Sequence, residues 1–225
     1  GGLPILMHIM KIYASYGHKD FYIALGYKGN MIKDYFLNYS KINRDFSVNL
    51  SNGTINFIDK EINLDWSITL IDTGEDSFTG RRIKLMKPYL SDETFLLTYG
   101  DGLSNINLDS LVSFHKNHGR LLTMSAVRPP ARFGELEMEN GLVKSFKEKP
   151  QLHSGWINGG FFVVEPQFID IIPRDNVMLE REPLEKLTQM GELMAYKHSG
   201  FWQCMDTMRD KMLLEAMNES NPPWR

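Results

Sequence analysis

Two aspartates stand at positions where a side chain could take part in chemistry. Asp101 follows the apolar residues 94–97 and lies in the glycine-flanked turn Tyr99-Gly100-Asp101-Gly102, and Asp206 follows the apolar and aromatic residues 201–205. In open α/β sheets, ligands gather at the carboxyl ends of the strands. Carboxylates at two such ends can form a hard oxygen site for Mg²⁺ and the phosphates of a nucleotide.

Both aspartates also have an ordinary structural interpretation. Gly-Asp-Gly triplets commonly close a turn or cap the following helix, so Asp101 can serve the backbone alone. Thr207 and Asp210 have the spacing of a capping box that opens a last helix. Asp206 then precedes a helix N-terminus, where a carboxylate is favoured by the helix dipole without any metal. The residues alone leave both interpretations open.

Two further motifs contain groups suited to a phosphorylated sugar. Glu148-Lys149-Pro150 closes a predicted hairpin, where the lysine presents a compact positive charge to a phosphate and the glutamate can accept hydrogen bonds from hydroxyls. Asn158-Gly159-Gly160 lies within a predicted strand, where the asparagine can read a sugar hydroxyl and the glycines permit close approach of a ligand. A solvated charged turn and a β-bulge are the respective structural alternatives.

A polar loop leads into a further predicted helix. It contains Asp72-Thr73-Gly74 and continues through Ser77 to Arg82. Backbone N–H groups and arginine in such a loop can receive an anionic phosphate. The alternative is that an arginine in a first helical turn is merely solvated.

The elements that position these motifs alternate between strand and helix. Hydrophobic periodicity and end signals predict helices over residues 4–17, 32–39, 82–90, 108–118 and 183–190, with a last helix opened by the capping box. They predict strands over 21–25, 67–71, 94–99, 121–127, 156–164 and 193–196, and hairpins over 46–57 and 134–146. This alternation predicts an α/β fold with a mostly parallel sheet covered on both faces.

Composition excludes several classes of protein. The 225 residues are 42% hydrophobic and 24% charged, which is typical of one globular α/β domain. The net charge is -3 and the basic residues are scattered, so we expect no nucleic-acid partner. Cys204 is the single cysteine, which excludes a disulfide framework and fits a reducing cytoplasm. No apolar stretch approaches 18 residues and no signal-peptide pattern is present, so we expect no membrane association.

Taken in chain order, the motifs resemble those of a known family. Tyr-Gly-Asp-Gly, Glu-Lys-Pro, Asn-Gly-Gly-Phe-Phe and a late Met-Asp-Thr are similar to the series found in sugar-phosphate nucleotidyltransferases. The resemblance covers nearly all of the chain. Within that family it is strongest to the bacterial glucose-1-phosphate cytidylyltransferases, through Gly26-Tyr27-Lys28-Gly29, Ile71-Asp72-Thr73-Gly74, Arg132-Phe133-Gly134 and Gly200-Phe201-Trp202-Gln203.

The resemblance implies a fold and a reaction. The fold is a Rossmann-like nucleotidyltransferase fold, with a mixed, mostly parallel sheet flanked by helices and accessory hairpins, in one domain over residues 1–225. The reaction transfers the cytidylyl group of CTP to α-D-glucose 1-phosphate with Mg²⁺, giving CDP-glucose and pyrophosphate for the deoxysugars of bacterial cell-surface polysaccharide (O-antigen). The resemblance also implies an assembly of several identical subunits.

The resemblance also implies roles for individual residues. Asp101 and Asp206 match metal-binding aspartates, and together with Lys149, which would meet the sugar phosphate, they form the implied catalytic set. The other matching positions are those beside the nucleotide, Ser77, Arg82 and Gly100, and those that contact the sugar, Glu148, Asn158 and Gly159.

One family motif is not present in residues 1–225. It is the Gly-x-Gly-Thr-Arg phosphate loop with a downstream lysine, and Gly1-Gly2 instead resembles the Gly-Gly that precedes a Pro-Ile-Leu helix in the family. We expect the first strand and this loop to precede Gly1. Because base selection would depend largely on that segment, a thymidylyl-, uridylyl- or guanylyltransferase acting on a sugar 1-phosphate is an alternative, as is a catalytically inactive nucleotide-sugar-binding homologue. A glycosyltransferase is disfavoured, since Asp101 is not part of an Asp-x-Asp motif.

Overall fold

The computed structural model describes residues 1–58, 64–129, 135–147 and 155–225, and for residues 135–137 and 146–147 it describes the backbone alone. In chain order its elements are α1 (Ile5–Ser15), β1 (Asp20–Leu25), α2 (Gly29–Leu37), α3 (Tyr39–Ile42), β2 (Phe46–Asn49), β3 (Thr54–Phe57), β4 (Ser67–Asp72), α4 (Thr79–Met86), a 3₁₀ turn (Lys87–Tyr89), β5 (Phe95–Thr98), β6 (Gly102–Ser104), α5 (Leu108–His118), β7 (Leu122–Val127), β8 (Glu135–Glu139), β9 (Leu142–Lys147), β10 (Ile157–Val164), α6 (Phe168–Ile171), α7 (Glu182–Met190), β11 (Leu193–Lys197), β12 (Trp202–Cys204) and α8 (Met208–Ser220).

The chain divides into two compact units. Unit 1 contains residues 1–18, 91–170 and 184–225, and unit 2 contains residues 19–90 and 171–183. Each unit combines segments that are far apart in the sequence, so neither is a continuous stretch of the chain. The single domain inferred from the sequence stays a prediction.

Unit 2 contains a parallel strand pair and a hairpin. β1 and β4 pair in parallel from Asp20 opposite Ser67 to Leu25 opposite Asp72. The hairpin predicted over residues 46–57 is confirmed, with β2 and β3 antiparallel and Gly53 in the left-handed region at φ +72° in their turn. Glycine favours this conformation because it has no Cβ.

Unit 1 is organised around a four-stranded sheet in the order β11-β7-β10-β5. β11 is parallel to β7, whereas β10 is antiparallel to both of its neighbours. Parallel neighbours need a long crossover connection. The chain instead passes from β7 to β10 through the hairpin β8–β9, which allows the reversed direction. The fold class is confirmed as mixed α/β, and β10 departs from the parallel arrangement predicted for most of the sheet.

The core of unit 1 lies between this sheet and its helices. Phe161, Phe162 and Leu108 are almost completely buried, and the ring of Tyr13 from α1 stacks on Phe161 with 6.1 Å between centroids. α5 matches its predicted bounds, because Asn107 caps its start and Gly119 ends it at φ +62°. In the part of the chain that the structure describes, no helix has the length and apolar character needed to cross a membrane.

Candidate functional site

Asp101 and Asp206 lie at the same end of a short strand pair in unit 1. β6 and β12 are antiparallel, with Gly102 opposite Cys204. The pairing continues one step further, since the backbone N–H of Met205 donates to the carbonyl of Asp101 at 2.8 Å. Asp101 directly precedes β6, Asp206 lies two residues after the end of β12, and both are exposed to solvent. The two predicted carboxylates therefore converge, although about a hundred residues separate them in the sequence.

The electrostatics of this pair favour a cation. The pKa of Asp101 is raised, first because neighbouring protein atoms displace water from the carboxylate although the residue is exposed, and second because Asp206 brings a like charge. The thiol of Cys204 donates to Oδ2 of Asp206 at 3.3 Å. A carboxylate that is partly desolvated and lies beside a like charge is stabilised by a positive charge placed next to it.

The capping interpretation of the two aspartates can be tested on the geometry. The capping box predicted at the start of α8 is confirmed: Asp210 N–H donates to Thr207 Oγ1 at 3.2 Å, and Thr207 N–H donates to Asp210 Oδ2 at 3.0 Å. This cap forms without the Asp206 carboxylate. Asp101 leads into β6 and not into a helix, so it caps no helix.

The chemistry of these donors fits Mg²⁺. Mg²⁺ usually keeps several waters and binds through one or two carboxylates together with substrate phosphates. Asp101 and Asp206 supply such a pair. Among the described residues, no group of three or more His, Cys, Asp or Glu side chains could hold a metal ion by itself.

The Asn158-Gly159-Gly160 motif forms an irregularity in β10. The register of β10 against β7 shifts between Asn158 and Phe162, which is the bulge given above as the structural alternative. Gly160 has φ +76°, and a Cβ there would lie 2.7 Å from Cδ2 of Tyr99. The backbone of this segment therefore requires glycine for its own conformation and packing.

The side chain of Asn158 bonds to neighbouring protein atoms. Its amide Nδ2 donates to the hydroxyl of Tyr99 at 3.1 Å, and its Oδ1 accepts from Gly160 N–H at 2.9 Å. The next carbonyl, that of Gly159, accepts from Nε1 of Trp202 at 2.7 Å. The predicted sugar contacts of Asn158 and Gly159 stay predictions.

Sequence reasoning missed Tyr99 and Trp202 as the residues that orient this motif. Tyr99 lies directly before Gly100 and Asp101, and Trp202 belongs to β12, which leads to Asp206. Through their hydrogen bonds, the chain segments that deliver the two carboxylates also hold the start of β10. The available signal was an aromatic residue shortly before each aspartate.

Two of the remaining predicted residues in unit 1 fall outside the described residues. These are Glu148 and Lys149, and their implied roles stay predictions. The motif Arg132-Phe133-Gly134 also lies outside the described residues. Gly100 is described, lies exposed in the turn before Asp101, and has open space where a Cβ would be.

Arg82 of unit 2 binds backbone oxygens of its own unit. Nη1 donates to the carbonyls of Leu25 and Gly74 at 3.0 and 2.9 Å and to Thr73 Oγ1 at 2.8 Å, while Nη2 donates to the carbonyl of Glu75 at 3.1 Å. The guanidinium therefore joins the ends of β1 and β4. Its predicted place beside the nucleotide stays a prediction.

Backbone N–H groups at the start of α4 already have hydrogen-bond partners within the protein. The N–H of Phe78 donates to Asn176 Oδ1 at 2.7 Å, and the N–H groups of Gly80 and Arg81 donate to the carbonyl of Val177 at 3.0 and 3.2 Å. The Ser77 hydroxyl donates to the carbonyl of Thr73. These N–H groups, predicted as phosphate donors, are thus used within unit 2, and α4 begins at Thr79, three residues before its predicted start.

Comparisons with known proteins agree with this architecture. The model of the nucleotidyl transferase family matches residues 2–219. The chain is 47% identical to a glucose-1-phosphate cytidylyltransferase of Salmonella typhi and 44% identical to a probable glucose-1-phosphate cytidylyltransferase of Bacillus subtilis, in each case over 100% of this chain and 88% of the relative.

Solved structures show the same fold at low sequence identity. HddC from Yersinia pseudotuberculosis, complexed with GMP-PN, superposes with a TM-score of 0.67 at 20% identity, over 94% of this chain and 84% of HddC. A putative glucose-1-phosphate thymidylyltransferase from Bacillus anthracis gives 0.66 at 15% identity, over 98% and 84%. The family match over almost the whole chain shows that this protein belongs to the nucleotidyl transferase family.

Proposed function

We propose that this protein transfers the cytidylyl group of CTP to α-D-glucose 1-phosphate, giving CDP-glucose and pyrophosphate. The observation that supports this most strongly is the identity of 44 to 47% over the whole chain to relatives with that name. A more distant relative, the mannose-1-phosphate guanylyltransferase catalytic subunit beta of Xenopus tropicalis, shares 24% identity over 98% of this chain. The difference in identity favours the cytidylyl reaction over the guanylyl one.

Asp101 and Asp206 would hold Mg²⁺ in this reaction. Their joint position at the end of β6 and β12 and the raised pKa of Asp101 support the assignment. When bound, the ion would spread the negative charge of the nucleotide phosphates and of the leaving pyrophosphate. The carboxylates would fix the ion in place.

The protein would act mainly by positioning. An oxygen of the sugar phosphate attacks the α-phosphorus of CTP, a bond forms between them, and the bond from the α-phosphorus to the pyrophosphate oxygen breaks. No side chain needs to form a covalent intermediate. Lys149 would align the sugar phosphate, Glu148, Asn158 and Gly159 would contact the sugar, and Ser77, Arg82 and Gly100 would lie beside the nucleotide.

The test is pyrophosphate release by the full chain encoded by the gene. CTP, dTTP, UTP and GTP are each supplied with glucose 1-phosphate or mannose 1-phosphate, with and without Mg²⁺. We expect release only with CTP, glucose 1-phosphate and Mg²⁺ together. Turnover with another nucleotide would correct the base assignment. Binding of CDP-glucose without turnover of any nucleotide would identify an inactive sugar-nucleotide-binding homologue.

Three broader consequences of the resemblance are part of the same proposal. CDP-glucose would supply deoxysugar synthesis for bacterial cell-surface polysaccharide, the enzyme would act in the cytoplasm, and it would assemble as a homo-oligomer. Deletion of the gene should change the sugar composition of the surface polysaccharide, and light scattering of the purified protein gives its subunit number.

A further inference from the structure

Two cations in unit 1 lie over one indole ring. The guanidinium carbon of Arg128 is 4.5 Å from the ring centroid of Trp156, and Nζ of Lys197 is 5.6 Å from the same centroid. Such contacts hold a cation by attraction to the electron-rich face of the ring. We call these three residues the indole cluster.

The strand register places the indole cluster on one face of the sheet. Ile157 pairs with Val127 in the antiparallel ladder, so the next pair in that register sets Trp156 opposite Arg128. On the other side of β7, Lys197 pairs with Ala126. Because side chains alternate along a strand, Lys197, Arg128 and Trp156 share a face with Asn158.

Helix α5 packs on the opposite face of this sheet. Nδ1 of His115 from α5 lies 2.8 Å from Oγ1 of Thr123 in β7. Thr123 and Arg128 are five positions apart, so the alternation along the strand places them on opposite faces of the sheet. The indole cluster is correspondingly open to solvent, with Arg128 and Lys197 exposed and Trp156 37% exposed. A ligand can reach all three side chains.

The indole cluster lies at the same end of the sheet as the aspartate site. β5 ends at Thr98, which pairs with Phe161, and the chain continues to Asp101. The Tyr99 hydroxyl then meets the amide of Asn158, two residues after Trp156. Neighbouring strands are about 4.8 Å apart, so β7 lies roughly 10 Å from β5, a distance that one arginine side chain and a phosphorylated sugar can span together.

The charge of the indole cluster has no ion-pair counterpart among the residues that the structure describes. Among the described residues, no carboxylate forms an ion pair with Arg128 or Lys197. Two cations on one small surface repel each other, and an anion placed between them removes that repulsion. A phosphate can accept charge-assisted hydrogen bonds from a planar guanidinium and from an ammonium at the same time.

We propose that Arg128 and Lys197, held over Trp156, form a binding subsite for the phosphate of a phosphorylated sugar. The inference rests on the proposed function for its ligand class, because the same sheet edge holds the carboxylates assigned to the metal. It assigns the recognition of the sugar phosphate to three residues beyond those implied by the family motifs. The indole orders the two cations before the ligand arrives.

The first test measures binding and needs no turnover. Glucose 1-phosphate is titrated into the full chain while tryptophan fluorescence is recorded, with Trp156→Phe to identify the signal among the four tryptophans. We expect Arg128→Met and Lys197→Met each to raise the Kd for glucose 1-phosphate about ten-fold, the size expected for the loss of one charge-assisted hydrogen bond. Glucose, which lacks the phosphate, should bind equally weakly to all variants.

Lys116→Met is the matched control, since Lys116 is an exposed cation on α5, outside the indole cluster. It should leave the Kd unchanged. Circular dichroism and thermal unfolding check that each variant is folded. An unchanged Kd in the folded Arg128→Met and Lys197→Met variants would overturn the proposal, and it would do so whether or not the protein uses CTP.

The second test separates the sugar phosphate from the nucleotide. With the nucleotide that turns over, both variants should raise KM for the sugar phosphate about ten-fold and change KM for the nucleotide less than about two-fold. An equal rise in both KM values would contradict a sugar-phosphate subsite and assign the cations to the nucleotide. Failure of the proposed function would instead appear as an absence of CTP turnover in the unmodified chain.

Discussion

The end of β6 and β12 in unit 1 and the loop around Arg82 in unit 2 use charge in opposite ways. Asp101 and Asp206 are like charges held together, and the pKa of Asp101 is raised because neighbouring protein atoms displace water from its carboxylate and because Asp206 repels its charge. Arg82 donates hydrogen bonds to four oxygens of its own unit. The aspartate pair therefore lowers the stability of the folded state, whereas the arginine increases it. Substitutions should separate activity from stability accordingly.

The largest expected effect is on turnover in Asp101→Asn. The neutral amide is a weaker ligand for a divalent cation than the charged carboxylate, so kcat/KM should fall by at least about 10²-fold. Because the substitution removes one of two repelling charges, the free energy of unfolding should stay the same or rise, within about 0.5 kcal/mol. Asp92→Asn, at an exposed loop position, is the matched control and should leave both quantities unchanged. Full activity in Asp101→Asn would remove this residue from the site.

The largest expected loss of stability is in Arg82→Met. The substitution removes four hydrogen bonds donated by a charged group, so the free energy of unfolding should fall by about 3 to 5 kcal/mol in urea titrations. Arg81→Met is the neighbouring control, because among the described residues the guanidinium of Arg81 donates one bond, of 3.3 Å, to the carbonyl of Arg174. That control should cost less than about 1 kcal/mol. Equal losses in the two variants would show that Arg82 does not organise the loop.

A smaller loss is expected for Gly160→Ala. Alanine at φ +76° is strained, and its Cβ would meet the Tyr99 ring at 2.7 Å, so we expect about 2 to 3 kcal/mol of destabilisation. Gly191→Ala tests the strain alone, because Gly191 has φ +71° and no atom within 4 Å of its Cβ position. It should cost about 1 kcal/mol. Thermal unfolding of both variants measures the packing contribution as the difference.

The smallest effect concerns pH and His198, which lies beside β6. Burial lowers the pKa of His198, and its Nε2 lies 3.1 Å from the carbonyl of Phe201 and from Ser104 Oγ. Below the ordinary pKa of about 6.5 the unfolded chain therefore binds a proton that the folded chain does not, so stability falls as the pH falls through that window.

Replacing His198 by glutamine should reduce this pH dependence. The difference in unfolding free energy between about pH 7.5 and about pH 5 should shrink by a few tenths to about 1 kcal/mol in urea titrations. The pKa values of His8 and His118 are also lowered, so these two residues should maintain part of the pH dependence of the unfolding free energy. An unchanged slope in His198→Gln would show that this imidazole contributes nothing to it.

Local signals in the sequence were sufficient for much of the fold. α5 was predicted with its observed bounds, because Gly119 ends it in the left-handed region. The box of Thr207 and Asp210 opens α8 as predicted. Each of these features depends on residues within one or two turns of the helix end, and the sequence displays such neighbours directly.

Features formed by residues that are far apart in the sequence could not be predicted from such local signals. β6 has three residues and exists through its pairing with β12, about a hundred positions later, so no pattern within it predicts a strand. Gly159 and Gly160 suggested a ligand, whereas contacts with Ser125 and Tyr99 also require them. The aspartates were identified from their motifs, but their shared strand register could only be seen in three dimensions.

The attachment of Asn176 and Val177 to the start of α4 has a consequence for synthesis of the protein. Asn176 bonds to Phe78 and to the carbonyl of Asp76, which precede it by 98 and 100 residues. At translation rates of roughly 5–20 residues per second, these partners leave the ribosome roughly 5–20 s after the segment they complete. The N–H groups of Phe78, Gly80 and Arg81 are without these partners during that interval, so unit 2 can be completed only after residues 176 and 177 have been synthesised.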